Sequence, residues 1–301
     1  MAAVCLTVAA NAQDFPGYRA GNYTGVNGVF FNPANIADSR YRVDFNLFSI
    51  HLGVGNDQAS FKLKDQFKNF DTDSLKNQVF GNNAGAASGL INATIHGPSL
   101  MFALGPKAGI ALTTRARVMA NIRDMDGKLV DKIVSDFEND PDLPYTFSSN
   151  EDMQFAVNGW TEFGFSFAHV LMDQKTHFLK GGFTAKYLAG AANGYVNLGN
   201  LNGTIIEDAN NPYLTNSTGR LGMGFGGVNI GDFEAGDLLK MESTGYGGDI
   251  GFVYEFRPNH EKFVYGEGQV RRDVNKYKLR LGVALTDIGS INYKRDVNRS
   301  G

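Results

Sequence analysis

Residues 155–171 read FAVNGWTEFGFSFAHVL, and apolar and polar side chains alternate along most of this stretch. A period of two is that of a β-strand, because successive side chains point to opposite faces. The phenylalanines at 163, 165 and 167 share one face, opposite a glutamate, a glycine and a serine. The pattern predicts a long strand with lipid on one side and a polar lumen on the other.

Similar alternation recurs along the chain, at residues 41–54, 108–120, 178–189, 248–256 and 277–286. Short turn signals such as Gly105-Pro106 separate some of these segments, and polar stretches at 56–81, 121–152 and 207–243 separate others. We therefore predict an all-β fold, an antiparallel transmembrane β-barrel whose long extracellular loops contain short helices.

Charged side chains recur on the faces that we predict to point inward. Charges of both signs are expected to pair across a wet interior, where they can also filter solutes. A catalytic or binding cluster is the alternative interpretation. The predicted lumen residues are Arg115, Arg117, Glu162, Lys186, Asp249, Glu255, Lys278 and Arg280.

Bulk composition restricts the class of protein. The 301 residues carry a formal net charge of -3 and have a mean hydropathy of -0.23, without a continuous apolar run of membrane-helix length. Barrels have such averages because only alternate residues face lipid. No basic cluster marks a nucleic-acid partner, so we predict none. The alternation along the strands predicts outer-membrane lipid around the barrel.

The N-terminal 12 residues resemble a secretory signal peptide, with Ala10-Asn11-Ala12 as the cleavage site. A cationic start is absent, so we expect the true start to lie upstream, and Cys5, the only cysteine, lies within this segment. Residues 13–40 are predicted to form an irregular segment that acts as a plug or hatch, since Pro33 cannot donate to a strand ladder. Residues 41–301 are predicted to form the barrel, truncated at its C-terminus.

Enzymatic chemistry has little support in the sequence. The glycines of 222–227 match a G-x-G-x-x-G pattern, but no helical pattern follows, which favours a glycine-rich loop or strand. The five histidines are dispersed, without the spacing of metal ligands. We predict no catalytic residue, no metal and no cofactor.

Four stretches carry a resemblance to a known family. They are GNYTGVNGVFFNPANIADSRYRVDFNLFSI at 21–50, WTEFGFSFAHVL with GGFTAKYLAG at 160–171 and 181–190, and LRLGVALTDIGSINYKRDV at 279–297. Together they resemble an uncharacterised family of Bacteroidota-type outer-membrane barrels. The resemblance implies an exported, porin-like protein. Members of that family are usually longer than this chain, which implies that the barrel is truncated at its C-terminus.

The string Asn32-Pro33-Ala34 is also similar to a motif of the long-chain fatty-acid transporter superfamily and its relatives in surface secretion. The resemblance implies that these residues lie in an N-terminal segment at or inside the barrel. An Asn-Pro turn that leads into the first strand explains them equally well.

Three functions follow as hypotheses. In the first, an outer-membrane barrel binds or passes a small, hydrophobic ligand, with residues 13–40 as its hatch. In the second, the barrel is a structural partner of a secretion machine or of other envelope proteins, or it anchors a further C-terminal domain. The third is a secreted soluble β-protein, whose strands would be shorter than those predicted here.

Overall fold

The computed structural model describes residues 22–56, 86–126, 143–148, 152–208, 211–228, 235–239, 243–266, 269–271, 273–297 and 300. The predicted signal peptide, residues 57–81 of the first predicted loop and residues 127–142 of the second lie outside this part of the chain. No helix in the described part is long and apolar enough to cross a membrane.

Antiparallel strands make up most of the described chain. The strands are β1 Val43–Asn46, β2 Ser49–Asn56, β3 Ala86–His96, β4 Ser99–Ala103, β5 Ala108–Asp126, β6 Tyr145–Ser148, β7 Asp152–Gln174, β8 His177–Asp208, β9 Asn211–Gly227, β10 Ser243–Phe256, β11 Val264–Tyr265, β12 Gln269–Val270 and β13 Leu279–Asn292. Short 3-10 helices cover Gly25–Phe30, Pro33–Ile36, Ala235–Leu239 and His260–Phe263.

One large sheet contains all of these strands except the β11–β12 pair. Strands β5, β7, β8, β10 and β13 are successive neighbours in it. At one edge β1 pairs with β4 and β2 with β3, and both β3 and β4 pair with β5. At the other edge β13 pairs with β10. Among the described strands these two edges do not pair with each other, so the sheet is not closed into a barrel.

The prediction of an antiparallel all-β fold is confirmed, and the stretch 155–171 lies within β7. The predicted hairpin at Gly105-Pro106 joins β4 to β5, where the Leu104 amide donates to the Ala108 carbonyl at 2.8 Å. Residues 41–54, predicted as one alternating segment, contain two strands, β1 and β2. Residues 121–126, which were expected in a loop, continue β5.

Further boundary predictions are wrong. The alternating segment predicted at 178–189 ends before residues 191–194, yet β8 continues to Asp208 because β7 pairs with it on one side and β9 on the other. Residues 211–227, expected in the third loop, form β9. There the ring of Tyr195 lies over Gly224, where an added Cβ would be 2.5 Å from the ring. The glycine pattern at 222–227 therefore belongs to a strand covered by an aromatic side chain.

The two faces of the sheet differ in chemistry. One face, which we call the apolar face, exposes large side chains from successive strands, including Leu112, Phe165, Phe183, Phe252 and Leu281. No Asp, Glu, Lys or Arg lies on it within 108–122, 163–171, 177–189, 246–256 and 279–285. The opposite face, which we call the covered face, carries charged side chains of the same strands, namely Arg115, Arg117, Glu162, Lys180, Lys186, Asp249, Glu255 and Arg280.

The N-terminal segment, residues 22–40, packs on the covered face as two short 3-10 helices without any strand. Its side chains Val26, Val29 and Ile36 are almost fully buried against the sheet residues Met101 and Ala111. This is the main apolar cluster between the segment and the sheet. The contact explains why the apolar residues of this segment follow no strand or long-helix period.

A row of small residues allows the N-terminal segment to approach the backbone of the sheet. The row crosses six strands through direct cross-strand partners: Ala103, Gly109, Ala168, Gly182, Gly251 and Ala284. A Cβ on Gly182 would lie 2.7 Å from the carbonyl carbon of Pro33, and one on Gly251 would lie 2.2 Å from the Oδ1 of Asn32. We call this set the small-residue row, and larger side chains in it would push the segment off the sheet.

We expect Gly182→Ala to lower the free energy of unfolding by about 1–3 kcal/mol, because the new methyl group meets backbone that cannot move freely. The matched control is Gly222→Ala in β9, where a Cβ meets nothing within 4 Å. Denaturant unfolding followed by tryptophan fluorescence measures both changes. Equal stabilities of the two variants would contradict the close seating of the segment.

Candidate functional site

Asn32, Pro33 and Ala34 form the point at which the N-terminal segment contacts the sheet. The Asn32 side-chain amide donates to the carbonyls of Phe252 and Val283, both at 3.1 Å. Its oxygen accepts the Ala34 amide at 2.9 Å, which caps the 3-10 helix that Pro33 begins. Asparagine is a favoured N-cap and proline a favoured first residue of a helix. The motif therefore joins the segment to two neighbouring strands, β10 and β13.

A buried ion cluster lies on one side of this contact, and we call it the Glu255 cluster. Arg257 binds Glu255 at 2.6 Å and Asp38 at 2.9 Å, and its guanidinium stacks on the Phe178 ring at 3.4 Å. The Lys180 ammonium donates to the Ala37 carbonyl at 2.7 Å. The members of this cluster are Asp38, Arg40, Lys180, Glu255, Arg257, Lys276 and Arg280.

Cations outnumber carboxylates in the Glu255 cluster, five to two. The remaining acceptors are neutral oxygens of the N-terminal segment, since Arg280 donates to Asn35 Oδ1 at 2.6 Å and Lys180 to a carbonyl. Sheet cations thus bind the carbonyl end of the second 3-10 helix, where the peptide dipoles point their negative ends. The cluster holds the segment in place.

The environment of Asp38 alters its acidity. Burial alone would raise the pKa of the Asp38 carboxyl, but the cations Lys276, Arg40, Lys180 and Arg257 hold it below the ordinary value of 3.8. Its backbone has a φ of 49°, in the left-handed region that Asp and Asn tolerate better than most residues. Asp38 therefore stays ionised and keeps its cationic partners when the protein is folded.

A second cluster lies on the other side of the contact, and we call it the Glu162 cluster. The Arg115 guanidinium binds Glu162 at 2.6 Å and Asp287 at 3.0 Å, and the Lys186 ammonium binds both Asp249 and Asp287 at 2.7 Å. Its members are Arg115, Arg117, Glu162, Lys186, Asp249 and Asp287, three cations and three carboxylates.

Aromatic rings cover both ends of the Glu162 cluster. Arg115 lies over the ring of Phe30 from the N-terminal segment, 5.0 Å from its centroid. Arg117 lies over the ring of Trp160 at the same distance, and the indole N–H donates to Glu162 Oε1 at 2.8 Å. Arg115 and Glu162 are almost fully buried, which strengthens the electrostatic interaction between them, whereas the Asp287 side chain is 43% exposed.

The structure distributes the predicted lumen residues over both clusters. Arg115, Arg117, Glu162, Lys186 and Asp249 come together in the Glu162 cluster, whereas Glu255 and Arg280 belong to the Glu255 cluster. Lys278 joins neither, because it is exposed and precedes β13, where its backbone amide donates to the Phe256 carbonyl.

Sequence reasoning missed Asp38, Arg40, Lys180, Arg257, Lys276 and Asp287. Asp287 has a left-handed φ of 60° and lies within a register shift between β10 and β13, which ends the simple alternation of β13. Lys180 lies six residues before Lys186 in β8, so strand alternation does place it on the covered face. Asp38, Arg257 and Lys276 lie outside the strands, so no periodic signal could have found them.

A cleft of about 670 Å³ opens beside the Glu162 cluster on the covered face. Arg117, Trp160 and Asp287 contribute to its floor, and its walls come from strands β3, β5, β7, β8, β10 and β13. None of the described residues of the N-terminal segment lines it. In the described part of the chain, no group of three or more His, Cys, Asp or Glu side chains is arranged to hold a metal ion.

These features define an all-β protein with an antiparallel sheet, one exposed apolar face and one charged face covered by its own N-terminal segment. A family model described as "Family of unknown function (DUF5723)" matches residues 33–301, so the chain belongs to this family. No curated protein and no solved structure matches the chain.

We expect Lys186→Met to destabilise the fold by about 3–5 kcal/mol, because Asp249 and Asp287 lose the cation that they share. Adding Asp249→Asn removes one uncompensated charge, while Asn Oδ1 can still accept the Asp287 amide. The double variant should therefore regain part of the loss in a denaturant titration. A double variant less stable than Lys186→Met would contradict the charge-balance account.

The lowered pKa of Asp38 predicts a loss of stability in acid. Its ion pairs contribute fully above the ordinary value of 3.8, and this contribution is lost as the pH falls below that value through the folded-state pKa. Asp38→Asn keeps the shape and tolerates the left-handed backbone. The difference in unfolding free energy between the wild type and Asp38→Asn should thus narrow from neutral pH to strongly acidic pH. A constant difference would contradict the assigned pairing.

Proposed function

We propose that this protein is an outer-membrane β-barrel protein that binds or passes a small ligand. In this proposal the sheet is part of the barrel wall, with its apolar face toward lipid and its covered face toward the lumen. The N-terminal segment fills the lumen beside the small-residue row. The antiparallel sheet and its two chemically distinct faces are observed, and the membrane location is what we propose.

The separation of charges between the two faces carries the proposal. Across 108–122, 163–171, 177–189, 246–256 and 279–285 the apolar face has no Asp, Glu, Lys or Arg. A single Arg or Lys on a lipid-facing strand costs about 2–4 kcal/mol at the bilayer midplane. In water such charges would instead improve solubility. A lipid environment therefore accounts for their absence better than an aqueous one.

Aromatic side chains on the apolar face support the same placement. Tyr246 of β10 packs edge-on against Tyr187, and eight residues further on Tyr254 hydrogen-bonds His177 at 2.6 Å. Eight residues span about 26 Å along a strand, or about 20 Å of membrane thickness at the usual tilt. Ile250 and Phe252 lie between the two tyrosines. Aromatic girdles around an apolar band of about 25 Å are typical of outer-membrane barrels.

The contacts of the N-terminal segment favour a fixed seal over a hatch that swings freely. Asn32 is hydrogen-bonded to two strands, Arg257 after β10 binds Asp38, and Arg280 of β13 binds Asn35. The route for a ligand in the proposed barrel is the cleft beside the Glu162 cluster, because the segment leaves it open. The barrel also requires partners for the edges formed by β13 and by β1 with β2, since unpaired backbone groups in lipid are costly.

Site-directed spin labelling in bilayer vesicles tests the membrane placement. In a Cys5→Ser background, a nitroxide at Leu281→Cys should be relaxed by oxygen, which partitions into lipid, and shielded from a water-soluble nickel chelate. Leu281 is 57% exposed on the apolar face. The control, Asn259→Cys, lies in an exposed turn after β10 and should show the reverse. Equal access of the chelate to both labels, or release of the protein by a salt wash, would rule out the barrel.

A further inference from the structure

The cleft beside the Glu162 cluster has the size and lining of a ligand site. Its volume of about 670 Å³ falls within the range of about 300–1,000 Å³ that small-molecule sites occupy. Aliphatic side chains such as Met119, Leu188 and Ile291 form one part of the lining. Such sites are usually apolar with a few polar groups that fix the orientation of the ligand.

Three neutral amides contribute to the polar lining of the cleft. Asn121, Asn158 and Asn193 line it from three strands, and the Asn193 amide donates to the Asn158 oxygen. Each amide side chain can both donate and accept hydrogen bonds. Tyr293 adds a phenol whose hydroxyl donates to the Gly159 carbonyl at 3.1 Å. These groups match hydroxyl or amide functions on a ligand.

The charges that reach the cleft are balanced. Two cations, Arg117 and Lys186, and two carboxylates, Glu162 and Asp287, line it. They already pair with one another, as in the contact of 2.8 Å between Arg117 and Asp287. A ligand with net charge would have to compete with these pairs, which include the buried pair of Lys186 and Glu162 at 3.8 Å, and breaking a buried pair is costly. The lining therefore disfavours both anions and cations.

We infer that the cleft binds an uncharged molecule that combines an apolar ring or chain with hydroxyl or amide groups. This inference rests on the proposed ligand-binding barrel and specifies the chemical class of its ligand. The apolar part of the ligand packs against Met119, Leu188 and Ile291, and its polar part exchanges hydrogen bonds with the three asparagines. The balanced ion pairs at the floor select against a charged head group.

Trp160 makes the inference directly testable, because it is the only tryptophan of the chain and lines the cleft. The full-length protein, in a detergent without a sugar head group, is titrated with phenyl β-glucoside, benzoate and benzylammonium while its tryptophan fluorescence is recorded. We expect a saturable change with phenyl β-glucoside, at least tenfold weaker responses to the two charged probes, and protection of Trp160 from acrylamide quenching at saturation.

Two asparagine variants of β8 locate the response. Asn193→Leu removes a lining amide and should weaken binding of phenyl β-glucoside by about five- to tenfold, the effect of losing about one hydrogen bond. Asn197→Leu is the matched control, because Asn197 pairs with Gln154 outside the cleft. Circular dichroism checks that both variants are folded. If a variant does not fold, the protection of Trp160 from acrylamide in the wild type still tests the inference.

Each remaining outcome overturns the inference. No saturable response to any probe, tighter binding of benzoate or benzylammonium, equal effects of the two variants, or unchanged acrylamide quenching would all exclude an uncharged ligand in this cleft. These results are independent of the spin-label accessibility of Leu281, which reports membrane placement alone. Failure of the ligand inference can thus be distinguished from failure of the barrel proposal.

Discussion

The close approach of the N-terminal segment to the sheet backbone is the constraint on which the rest of the structure depends. The small-residue row leaves no side chains between Pro33 and β8 or between Asn32 and β10. Asn32 can therefore reach the carbonyls of two neighbouring strands, although these carbonyls lie deep in the sheet. One ion cluster of the covered face lies on either side of this contact.

Both ion clusters follow from that arrangement, yet they have different compositions. The Glu255 cluster has an excess of cations because part of what it binds is the neutral carbonyl end of a 3-10 helix. The Glu162 cluster is balanced because its members bind one another, with Phe30 of the segment and Trp160 of the sheet as covers. One cluster thus fixes the segment, and the other forms the floor of the cleft.

Part of this architecture could be predicted from the sequence because strand alternation is a local signal. The period of two in 155–171 correctly indicated β7, and the same parity assigned Arg115, Arg117 and Glu162 to one face. Contacts that join distant parts of the chain give no such signal. Asp38 meets Arg257 over a separation of 219 residues, and Asp287 enters its cluster only through a register shift and a left-handed backbone.

The small-residue row could be predicted from the sequence only in part. Gly182 and Gly251 occupy covered-face positions of well-predicted strands, so the sequence shows where bulk is missing but not what fills the space. Alternation alone also could not reveal that β8 continues for 32 residues, because Ala191 and Asn193 resemble a turn. Pairing with two neighbours overrides that local preference.

The central claim is that the sheet spans a bilayer with its charged face inward. Polarised infrared spectroscopy of the protein in oriented bilayers tests this claim most directly. The account predicts an antiparallel β-sheet amide I signal whose dichroism corresponds to strands tilted by about 35–45° from the membrane normal. An isotropic signal, or strands that lie flat on the bilayer surface, would contradict it.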